Sequence, residues 1–318
     1  MASMLVTGGA GFIGSHLAER LLGLGHEVRV LDNFSTGRRE NIASFAEGIE
    51  VFEVDVRDRE GVARAVKGVD VVFHEAALAS VPRSVDDPMT SDDVNVHGTL
   101  NVLKASRDAG VHRLIYASSS SVYGNSPELP KREGMTPQPE SPYAVGKLAG
   151  EHYCKVFSSL YGLDCVCLRY FNVFGPRQDP GSQYAAVVPI FVTALLRNEA
   201  PLIHGDGEQS RDFTYVANVV DANLSAVEKD AATGNVMNVA CGVTTTVNDL
   251  FARVRGIAGS SIDAEHGPPR AGDVRHSYAD IGRAVDLIGF RPAVSLDDGL
   301  ERTVAWYREG GRRGERRA

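Results

Sequence analysis

A glycine-rich turn between a short apolar segment and an amphipathic segment restricts the fold of this chain more than any other feature. In the turn, TGGAGFIGSH, Gly8, Gly11 and Gly14 have the spacing GxxGxxG. The turn follows the predicted strand MLVT and opens the predicted helix FIGSHLAERLLGLG. Glycines in this setting let the backbone approach a pyrophosphate, which rests on the helix N-terminus. The spacing alone is weak evidence, but its place between a strand and a helix predicts a dinucleotide-binding site.

Strands and helices alternate through the first half of the chain. The predicted strands are MLVT, EVRVLD, IEVFEVDV, DVVFHEAA, RLIYASSS and DCVCLRYFNVFG. The predicted helices are FIGSHLAERLLGLG, Arg59–Lys67, Ser91–Ala109 and Pro142–Leu160. This order predicts an α/β protein with a doubly wound parallel sheet of Rossmann type. Open sheets of this kind bind ligands at the carboxyl ends of their strands.

The pattern becomes less regular after Gly175. The segment NVMNVAC at 235–241 has the character of a strand that returns to the first sheet, and TVNDLFARV predicts a helix with Thr246 as its N-cap. We therefore expect a dinucleotide-binding domain over residues 1–176, joined by the returning strand. A smaller mixed α/β lobe is expected mainly over residues 177–318.

Charge and hydropathy argue against several functions. The net charge is -8 at pH 7, so general binding to nucleic acids or anionic membranes is not expected. The longest apolar runs are the length of a strand, and none is long enough to span a bilayer. The N-terminus, MASMLVTGG, has no basic segment followed by an apolar core, so no signal peptide is expected. These features predict a cytoplasmic protein.

The four cysteines are scattered and form no CxxC pair and no Cys/His cluster with zinc spacing. No metal site is therefore expected. Cys165 and Cys167 alternate along a predicted strand, which is typical of small buried hydrophobic residues.

The segment SPYAVGK places a tyrosine and a lysine where a helix is predicted to begin. Ser141 is a good N-cap and Pro142 suits the first helical position. Tyr143 and Lys147 then lie one turn apart on the same face. A nearby ammonium lowers the pKa of a phenol, and the pair would act as a general acid/base near neutral pH. The alternative is a tyrosine packed under a helix beside a solvated lysine, and this short pattern alone does not exclude it.

Asp32 is expected to end the second strand. A carboxylate there accepts hydrogen bonds from an adenosine ribose and repels a 2′-phosphate, which favours NAD over NADP. Arg38 and Arg39 leave NADP open, because arginine can hold a 2′-phosphate. Asp55 and Val56 are expected to end the third strand, where they would meet the adenine or simply close the strand.

Several motifs together resemble the extended short-chain dehydrogenase/reductase family, in particular the nucleotide-sugar 4-epimerases. They are the glycine turn, YASSSSVYG, SPYAVGK, HEAALASVPRS, DVNVHGTLNVLKAS, RYFNVFGPRQDP, GDGEQSRDFTYV and RAGDVRHSYAD. The resemblance covers nearly the whole chain. It implies NAD as the cofactor, a UDP-sugar as the substrate and a homodimer. In that dimer, Ser91–Ala109 and Pro142–Leu160 would form a four-helix bundle with the partner.

The resemblance also implies residue roles. Tyr143 matches the catalytic base, Lys147 its partner at the nicotinamide ribose, and Ser119 the catalytic serine. The cofactor residues it implies are Gly8, Gly11, Phe12, Ile13, Gly14, Asp32, Asn33, Asp55, Val56, Asn95, Tyr143 and Lys147. The substrate residues it implies are Ser80, Ser119, Ser120, Ser121, Tyr143, Asn172, Ala186, Val187, Arg211, Arg270, Asp273 and Ser277. The implied reaction moves hydride from the sugar C4 to NAD and back to the other face of a 4-keto sugar.

Relatives with this resemblance catalyse other reactions, so alternatives remain. Dehydratases and decarboxylases usually carry a carboxylate just before the VYG, where this chain has Ser120 and Ser121. Uronate 4-epimerases tend to carry threonine in place of Asn172, which favours a neutral hexose here. A non-catalytic NAD-binding scaffold or sensor is an alternative of another class, although Ser119, Tyr143 and Lys147 are all present.

The expected sugar depends on two small residues. Ser277 matches the position that gates the 2-substituent of the sugar, and Ala186 would face the same pocket. Small residues leave room for an N-acetyl group. The sequence therefore predicts interconversion of UDP-N-acetylglucosamine and UDP-N-acetylgalactosamine, with UDP-glucose and UDP-galactose as a second pair.

Overall fold

Thirteen strands and eleven α-helices lie in the residues that the computed structural model describes, 1–180, 186–269 and 275–310. The strands are β1 Ser3–Thr7, β2 Glu27–Asp32, β3 Ile49–Glu53, β4 Val71–His74, β5 Arg113–Ser119, β6 Asp164–Tyr170, β7 Val173–Phe174, β8 Leu202–His204, β9 Ser210–Arg211, β10 Thr214–Tyr215, β11 Val236–Val239, β12 Thr245–Thr246 and β13 Glu265–Gly267. The helices are α1 Phe12–Gly23, α2 Arg59–Val66, α3 Val81–Asp86, α4 Pro88–Asp92, α5 Thr99–Asp108, α6 Pro142–Tyr161, α7 Val187–Leu196, α8 Val216–Glu228, α9 Val247–Ala258, α10 Gly282–Ile288 and α11 Leu296–Arg308. Within these ranges, no helix combines the length and apolar character needed to cross a membrane.

Seven parallel strands form the central sheet, in the order β11-β6-β5-β4-β1-β2-β3. This arrangement confirms the predicted doubly wound fold. The chain moves from β1 outward through β2 and β3, then crosses to β4 on the other side of β1. The strand order therefore reverses between β1 and β4. In open α/β sheets, such a point forms a ligand crevice at the carboxyl ends of the strands.

Alternate residues of the strands supply two separate cores. Val6 and Ile115 belong to the cluster that packs against α1 and α8, whereas Leu5 and Leu114 belong to the cluster under α2, α5 and α6. Successive side chains of a strand point to opposite faces, and both faces of this sheet are covered. This explains why the strand segments read as nearly continuous apolar runs.

The chain after residue 176 contributes both to the sheet and to a separate core. β11 pairs in parallel with β6, so this segment forms one edge of the central sheet. A third apolar cluster lies among α7, α9 and α11 and includes Phe191, Leu250 and Val304. Thr246 caps α9 by accepting a hydrogen bond from the N–H of Asp249 at 3.0 Å, as predicted.

Two predicted strands end earlier than the sequence indicated. β3 ends at Glu53, so Asp55 and Val56 follow the strand rather than close it. β6 ends at Tyr170, because Asn172 adopts a left-handed backbone with φ 33° and its carbonyl accepts the N–H of Thr214 at 3.3 Å. The prediction of one strand through Gly175 was therefore wrong, and Val173–Phe174 pairs with β10 instead.

The predicted helix over Ser91–Ala109 begins earlier and contains a wider turn. α4 starts at Pro88, a π-helical segment covers Asp93–Gly98, and α5 follows. Asn95 is buried in this segment, and its Oδ1 accepts the N–H of Leu78 at 2.9 Å. Turns of this kind often occur at functional sites.

Two glycines of α6 lie where a side chain would have no room. A Cβ at Gly150 would lie 2.2 Å from the hydroxyl of Tyr116, on the sheet, and one at Gly146 would lie 3.1 Å from Cβ of Asn95. Close packing therefore offsets the helix-weakening effect of these glycines, which is about 1 kcal/mol each relative to alanine.

We predict that Gly150→Ala lowers the free energy of unfolding by about 1–3 kcal/mol, because the added methyl group overpacks the contact with Tyr116. Gly256→Ala is the matched control, since Gly256 also lies within a helix but a Cβ there meets nothing within 4 Å. This control should raise stability by up to about 1 kcal/mol. Urea unfolding of the three proteins measures both effects, and equal stabilities would contradict the packing argument.

Candidate active site

The glycine turn leaves the first turn of α1 open to a ligand. Gly8 has φ 68°, and a Cβ there would lie 2.8 Å from the backbone of Ala76. A Cβ at Gly14 would lie 2.2 Å from the carbonyl oxygen of Gly8. Gly11 is the N-cap of α1 and no side chain caps the helix. The N–H groups of that first turn, which includes Phe12 and Ile13, are thus left for an anion such as a pyrophosphate.

Asp32 connects the glycine turn to the loop that follows β2. The residue is buried, its Oδ2 accepts the N–H of Ala10 at 3.0 Å and its Oδ1 accepts that of Phe34 at 2.8 Å. Burial raises the pKa of this carboxyl, and the two backbone N–H groups oppose the rise. A Cβ at Gly37 would lie 2.6 Å from the carboxylate, so the loop lies against it.

Arg38 and Arg39, the two arginines that could hold the 2′-phosphate of NADP, each form an ion pair with an acidic residue. Arg38 pairs with Asp179 at 2.6 Å. Arg39 pairs with Glu53 at 2.6 Å, and its guanidinium lies 4.1 Å from the ring centroid of Phe34. Because each guanidinium is already paired with a carboxylate, these ion pairs reduce the positive charge that either arginine can offer a 2′-phosphate.

Asn33 and Asp55 lie together beyond the ends of β2 and β3. Nδ2 of Asn33 donates to Asp55 at 2.8 Å, and hydrogen bonds from Arg57 are the main reason that the pKa of Asp55 falls to about 2. Val56 is buried next to them, with its side chain against Gly98. The structure thus brings these predicted cofactor residues to one edge of the sheet.

Ser119, Tyr143 and Lys147 meet at the carboxyl end of β5. Ser141 caps α6 by accepting the N–H of Ala144 at 3.2 Å, as predicted. Lys147 is buried, its Nζ donates to the carbonyl of Ala117 at 2.8 Å, and it lies 5.9 Å from the ring centroid of Tyr143. The hydroxyl of Ser119 is close enough to the phenol of Tyr143 to favour its ionised form and so to oppose the rise in its pKa. The alternative of a solvated lysine is therefore wrong.

Burial dominates the electrostatics of this pair. It lowers the pKa of Lys147 to about 8, although the nearby Glu75 carboxylate opposes that shift. It raises the pKa of Tyr143, an effect that Ser119 opposes and Glu75 reinforces. The predicted fall in the pKa of Tyr143 is thus not found in the protein alone, because loss of hydration outweighs the neighbouring charge.

The serines that follow β5 form a short turn beside the pair. Ser120 and Ser121 open a 3₁₀ segment, and Oγ of Ser119 accepts the N–H of Ser121 at 3.1 Å. Among the described residues, the buried hydroxyl of Ser121 is one of the few side-chain groups without a hydrogen-bond partner. A buried hydroxyl in this state is suited to a polar ligand.

A cavity of about 330 Å³ is lined by residues of β7, α7, β8 and β9. Four predicted substrate residues line it, namely Asn172, Ala186, Val187 and Arg211. They come from separate parts of the chain, after β6, at the start of α7 and in β9, so the fold brings them together. His204, Gln209 and Phe213 also line the cavity.

The remaining predicted substrate residues lie elsewhere. Ser80 caps α3 by accepting the N–H of Arg83 at 3.3 Å. Ser277 does not line the cavity, and its N–H donates to the carbonyl of Ser210 at 3.1 Å, one residue before Arg211. Arg270 and Asp273 lie outside the described residues.

Two carboxylates, the partly buried Glu75 and the buried Asp212, were not predicted as site residues. Glu75, in HEAALAS, accepts a hydrogen bond from the phenol of Tyr170 at 2.7 Å, and burial raises its pKa to about 7. Asp212 accepts the N–H groups of Cys241 and Gly242 at 2.9 Å and of Ala279 at 3.2 Å, and burial raises its pKa to about 6. For Glu75 the signal in the sequence was a charged residue just after the apolar run at 71–73, whereas Asp212 lies in a polar segment and gave no such signal.

One group of side chains could reach a common metal ion within the described part of the chain. It consists of Asp92, Asp93 and His97, which are all exposed. Exposed acidic groups are common without a metal, so the prediction that the protein has no metal site is kept as a prediction.

The fold and the site define a class. The sheet is parallel and carries a glycine turn where the strand order reverses, a carboxylate at the end of β2 and a buried Tyr-x-x-x-Lys pair. Together these features define a Rossmann-type dinucleotide-binding protein. The chain belongs to the NAD dependent epimerase/dehydratase family, whose model matches residues 4–240. This confirms the family resemblance of the sequence motifs and the family's cofactor, NAD.

Relatives of known activity match along almost their whole length. The UDP-glucose 4-epimerase of Mycolicibacterium smegmatis is 45% identical over 310 residues, which cover 96% of this chain and 98% of the relative. A solved UDP-N-acetylglucosamine 4-epimerase from Methanobrevibacter ruminantium, in complex with UDP-N-acetylmuramic acid, is 42% identical with a TM-score of 0.93, covering 97% of this chain and 99% of that one. The Thermus thermophilus UDP-glucose 4-epimerase complex with NAD is 41% identical, with a TM-score of 0.89 and coverage of 96% and 99%.

The raised pKa of Glu75 makes stability depend on pH. Its usual pKa is 4.5 and its folded value is about 7, so between these values the folded state holds a proton that the unfolded state has lost. Its contribution is therefore greatest at low pH and is lost as pH rises through 7. Glu75→Gln keeps an acceptor for Tyr170 and has no such dependence.

We predict that the stability of Glu75→Gln relative to the wild type rises by roughly 1–3 kcal/mol between pH 4.5 and pH 8. Each pKa unit corresponds to about 1.4 kcal/mol, and the partial exposure of the carboxylate reduces the effect. Urea unfolding across this pH range measures the difference. A difference that does not change with pH would show that Glu75 titrates normally in the folded protein.

Proposed function

We propose that the protein is an NAD-dependent 4-epimerase of UDP-hexoses. Its principal pair would be UDP-N-acetylglucosamine and UDP-N-acetylgalactosamine, with UDP-glucose and UDP-galactose as a second pair. The observation that carries the proposal is the meeting of Ser119, Tyr143 and Lys147 at the carboxyl end of β5, where Nζ of Lys147 donates to the carbonyl of Ala117 and lies 5.9 Å from the ring centroid of Tyr143. The similarity to epimerases of both sugars over nearly the full length supports the reaction type.

The residues present fit NAD. Gly8 and Gly14 let the turn pack against the backbone of Ala76 and against itself, and the uncapped start of α1 suits a pyrophosphate. Asp32 would accept hydrogen bonds from the adenosine ribose, and Lys147 would hold the nicotinamide ribose. A bound NAD would supply the hydride acceptor and donor for C4 of the sugar.

The protein's residues would handle the proton of the sugar. Tyr143 removes the proton of the 4-hydroxyl and later returns it, while Ser119 hydrogen-bonds the same oxygen. Because burial raises the pKa of Tyr143, its phenolate needs positive charge nearby. The ammonium of Lys147, fixed by the carbonyl of Ala117, supplies part of that charge.

The cavity of the C-terminal lobe would hold the nucleotide. Arg211 gives the cavity a positive charge that matches a diphosphate, and the amide of Asn172 is fixed by the carbonyl of Asp212 at 3.1 Å. The unpartnered hydroxyl of Ser121 would meet the sugar. Ser120 and Ser121 are poor acids and bases for removing a C5 proton, so dehydration is disfavoured.

We also propose the homodimer and the cytoplasmic location that the sequence predicted. Several apolar side chains of α4 and α6 are exposed in the single chain, including Met89, Val145, Val156 and Leu160. A four-helix bundle with a second copy would cover them. The division into a cofactor domain over 1–176 and a substrate lobe over 177–318 is likewise proposed, with β11 returning to the sheet.

The first test is to incubate the purified protein and NAD with UDP-N-acetylglucosamine, UDP-glucose or UDP-glucuronate and to identify products by proton NMR. We predict that UDP-N-acetylgalactosamine forms without net NADH, and that Tyr143→Phe lowers kcat by about 10²–10⁴-fold. Tyr161→Phe is the matched control, because Tyr161 is exposed at the far end of the same helix.

The other products would separate the alternatives. UDP-galactose alone would keep the reaction and overturn the choice of sugar. A 4-keto-6-deoxy sugar or a pentose would show a dehydratase or a decarboxylase, and UDP-galacturonate a uronate epimerase. If none of the substrates is turned over, the result would favour a non-catalytic NAD-binding scaffold or sensor.

The proposed role of Ser277 can be tested by changing the size of its side chain. We predict that Ser277→Tyr lowers kcat/KM for UDP-N-acetylglucosamine at least about tenfold more than for UDP-glucose, because the larger ring takes the space of the N-acetyl group. Ser277→Ala should leave the ratio of the kcat/KM values for the two sugars unchanged. Equal losses for the two sugars in Ser277→Tyr would remove Ser277 from sugar selection.

A further inference from the structure

A row of polar side chains crosses three strands beside the carboxyl end of β5. Arg169 of β6 is paired with Ser118 of β5 on one side and with Asn238 of β11 on the other. Residues paired across neighbouring strands present their side chains to the same face of a sheet. All three residues are buried, and the face is the one that α6 covers, because Glu151 of α6 reaches both Ser118 and Arg169.

Glu151 joins this row to the helix that carries Tyr143 and Lys147. The hydroxyl of Ser118 donates to Oε1 of Glu151 at 2.5 Å. Nε and Nη2 of Arg169 donate to the two oxygens of the same carboxylate at 2.8 and 2.7 Å. Both charged side chains are buried, so they form one ion pair away from water. Such a bidentate pair fixes both partners in place, because separating them would leave two unpaired buried charges.

Tyr123 packs against the same ion pair. The guanidinium carbon of Arg169 lies 4.7 Å from the centroid of the Tyr123 ring, and the phenol of Tyr123 donates to Oδ1 of Asn238 at 2.7 Å. Tyr123 is buried and ends the 3₁₀ segment Ser120–Tyr123 that follows β5. Residues 118–123 form the serine turn, and the ion pair therefore holds this turn at both of its ends.

The helix α6 bonds to the end of β5 at consecutive residues. Nζ of Lys147 donates to the carbonyl of Ala117 at 2.8 Å, and Glu151, four residues further along α6, accepts from Ser118. Residues four apart lie on the same face of a helix. The next residue of β5 is Ser119. Two bonds from one face of α6 thus determine where Ser119 lies relative to that helix.

We propose that Glu151 and Arg169 are positioning residues for the hydroxyl of Ser119. By holding the serine turn at both ends, they keep that hydroxyl in register with Tyr143 and Lys147 of α6. A displacement of about 1 Å at a reacting group can lower a rate by about a hundredfold, so such a support matters for catalysis. The inference rests on the proposed function only in that Ser119, Tyr143 and Lys147 are the working residues.

The sharpest variant is Ser118→Ala, because it removes the bond between β5 and Glu151 and leaves the ion pair intact. We predict that it lowers kcat for epimerisation about tenfold, with little change in KM for the UDP-sugar. Ser106→Ala is the matched control and should leave both constants unchanged. Ser106 is a buried serine of α5, and its hydroxyl has no hydrogen-bond partner among the described residues.

A Ser119→Ala background shows whether the effect passes through Ser119. If Ser118 acts by positioning that hydroxyl, the loss of kcat caused by Ser118→Ala should largely disappear once the hydroxyl is absent. A merely structural effect would lower kcat by the same factor in both backgrounds, and that result would contradict the proposal.

Hydrogen exchange at the N–H of Ser121 gives a readout that needs no turnover, because this group donates to Oγ of Ser119 at 3.1 Å. We predict that Ser118→Ala speeds the exchange at least about tenfold, toward the rate in Ser119→Ala, while the amides of α9 keep their rates. Glu151→Met/Arg169→Met, which removes both buried charges together, should speed it in the same way. NMR of the purified protein with bound NAD measures the individual amides.

The outcomes separate the inference from the proposed function. Unchanged exchange at Ser121 in these variants would overturn the positioning role, even in an active epimerase. Faster exchange at Ser121 without turnover of any UDP-sugar would support the role of the ion pair in holding Ser119 and would overturn the epimerase.

Discussion

The contact between the glycine turn and the chain after β4 is the constraint on which the rest of the site depends. The backbone of Ala76 lies where a Cβ at Gly8 would sit, so the ends of β1 and β4 approach more closely than side chains would allow. This approach opens the first turn of α1 to an anion on one side and places Glu75 against the crevice on the other. Any larger residue at Gly8 would also have to adopt φ 68°, which costs free energy for residues other than glycine.

The elements that could be predicted from the sequence are those that local chemistry determines. Ser141 and Thr246 cap their helices as their residue types indicate, and the apolar runs became the seven central strands. The ends of elements were less predictable, because they depend on distant partners. β6 stops where Asn172 pairs with Thr214, and the π-helical segment occurs where Asn95 bonds to Leu78.

The candidate site shows the same difference between features set by local sequence and features set by distant contacts. Ser119, Tyr143 and Lys147 lie in motifs that can be recognised in the sequence and were predicted as catalytic residues, whereas Glu75 and Asp212 were not predicted. A carboxylate acquires an unusual pKa from burial, and burial comes from the packing of segments far apart in the chain. The electrostatic argument for Tyr143 was incomplete for the same reason, since the spacing of Tyr143 and Lys147 carries no information about the loss of water around them.

The ion pair between Arg38 and Asp179 has an evolutionary consequence. Asp179 belongs to a loop from a different part of the chain, and it holds the guanidinium that a 2′-phosphate would need. Replacing Asp32 alone would remove a repulsive charge without freeing a cation, and replacing Asp179 alone would free a cation beside a repulsive carboxylate. A change to the phosphorylated cofactor would therefore need both substitutions, because neither one alone creates a site for a 2′-phosphate. Asp32 and Asp179, which lie 147 positions apart in the chain, thus protect the choice of cofactor against single substitutions.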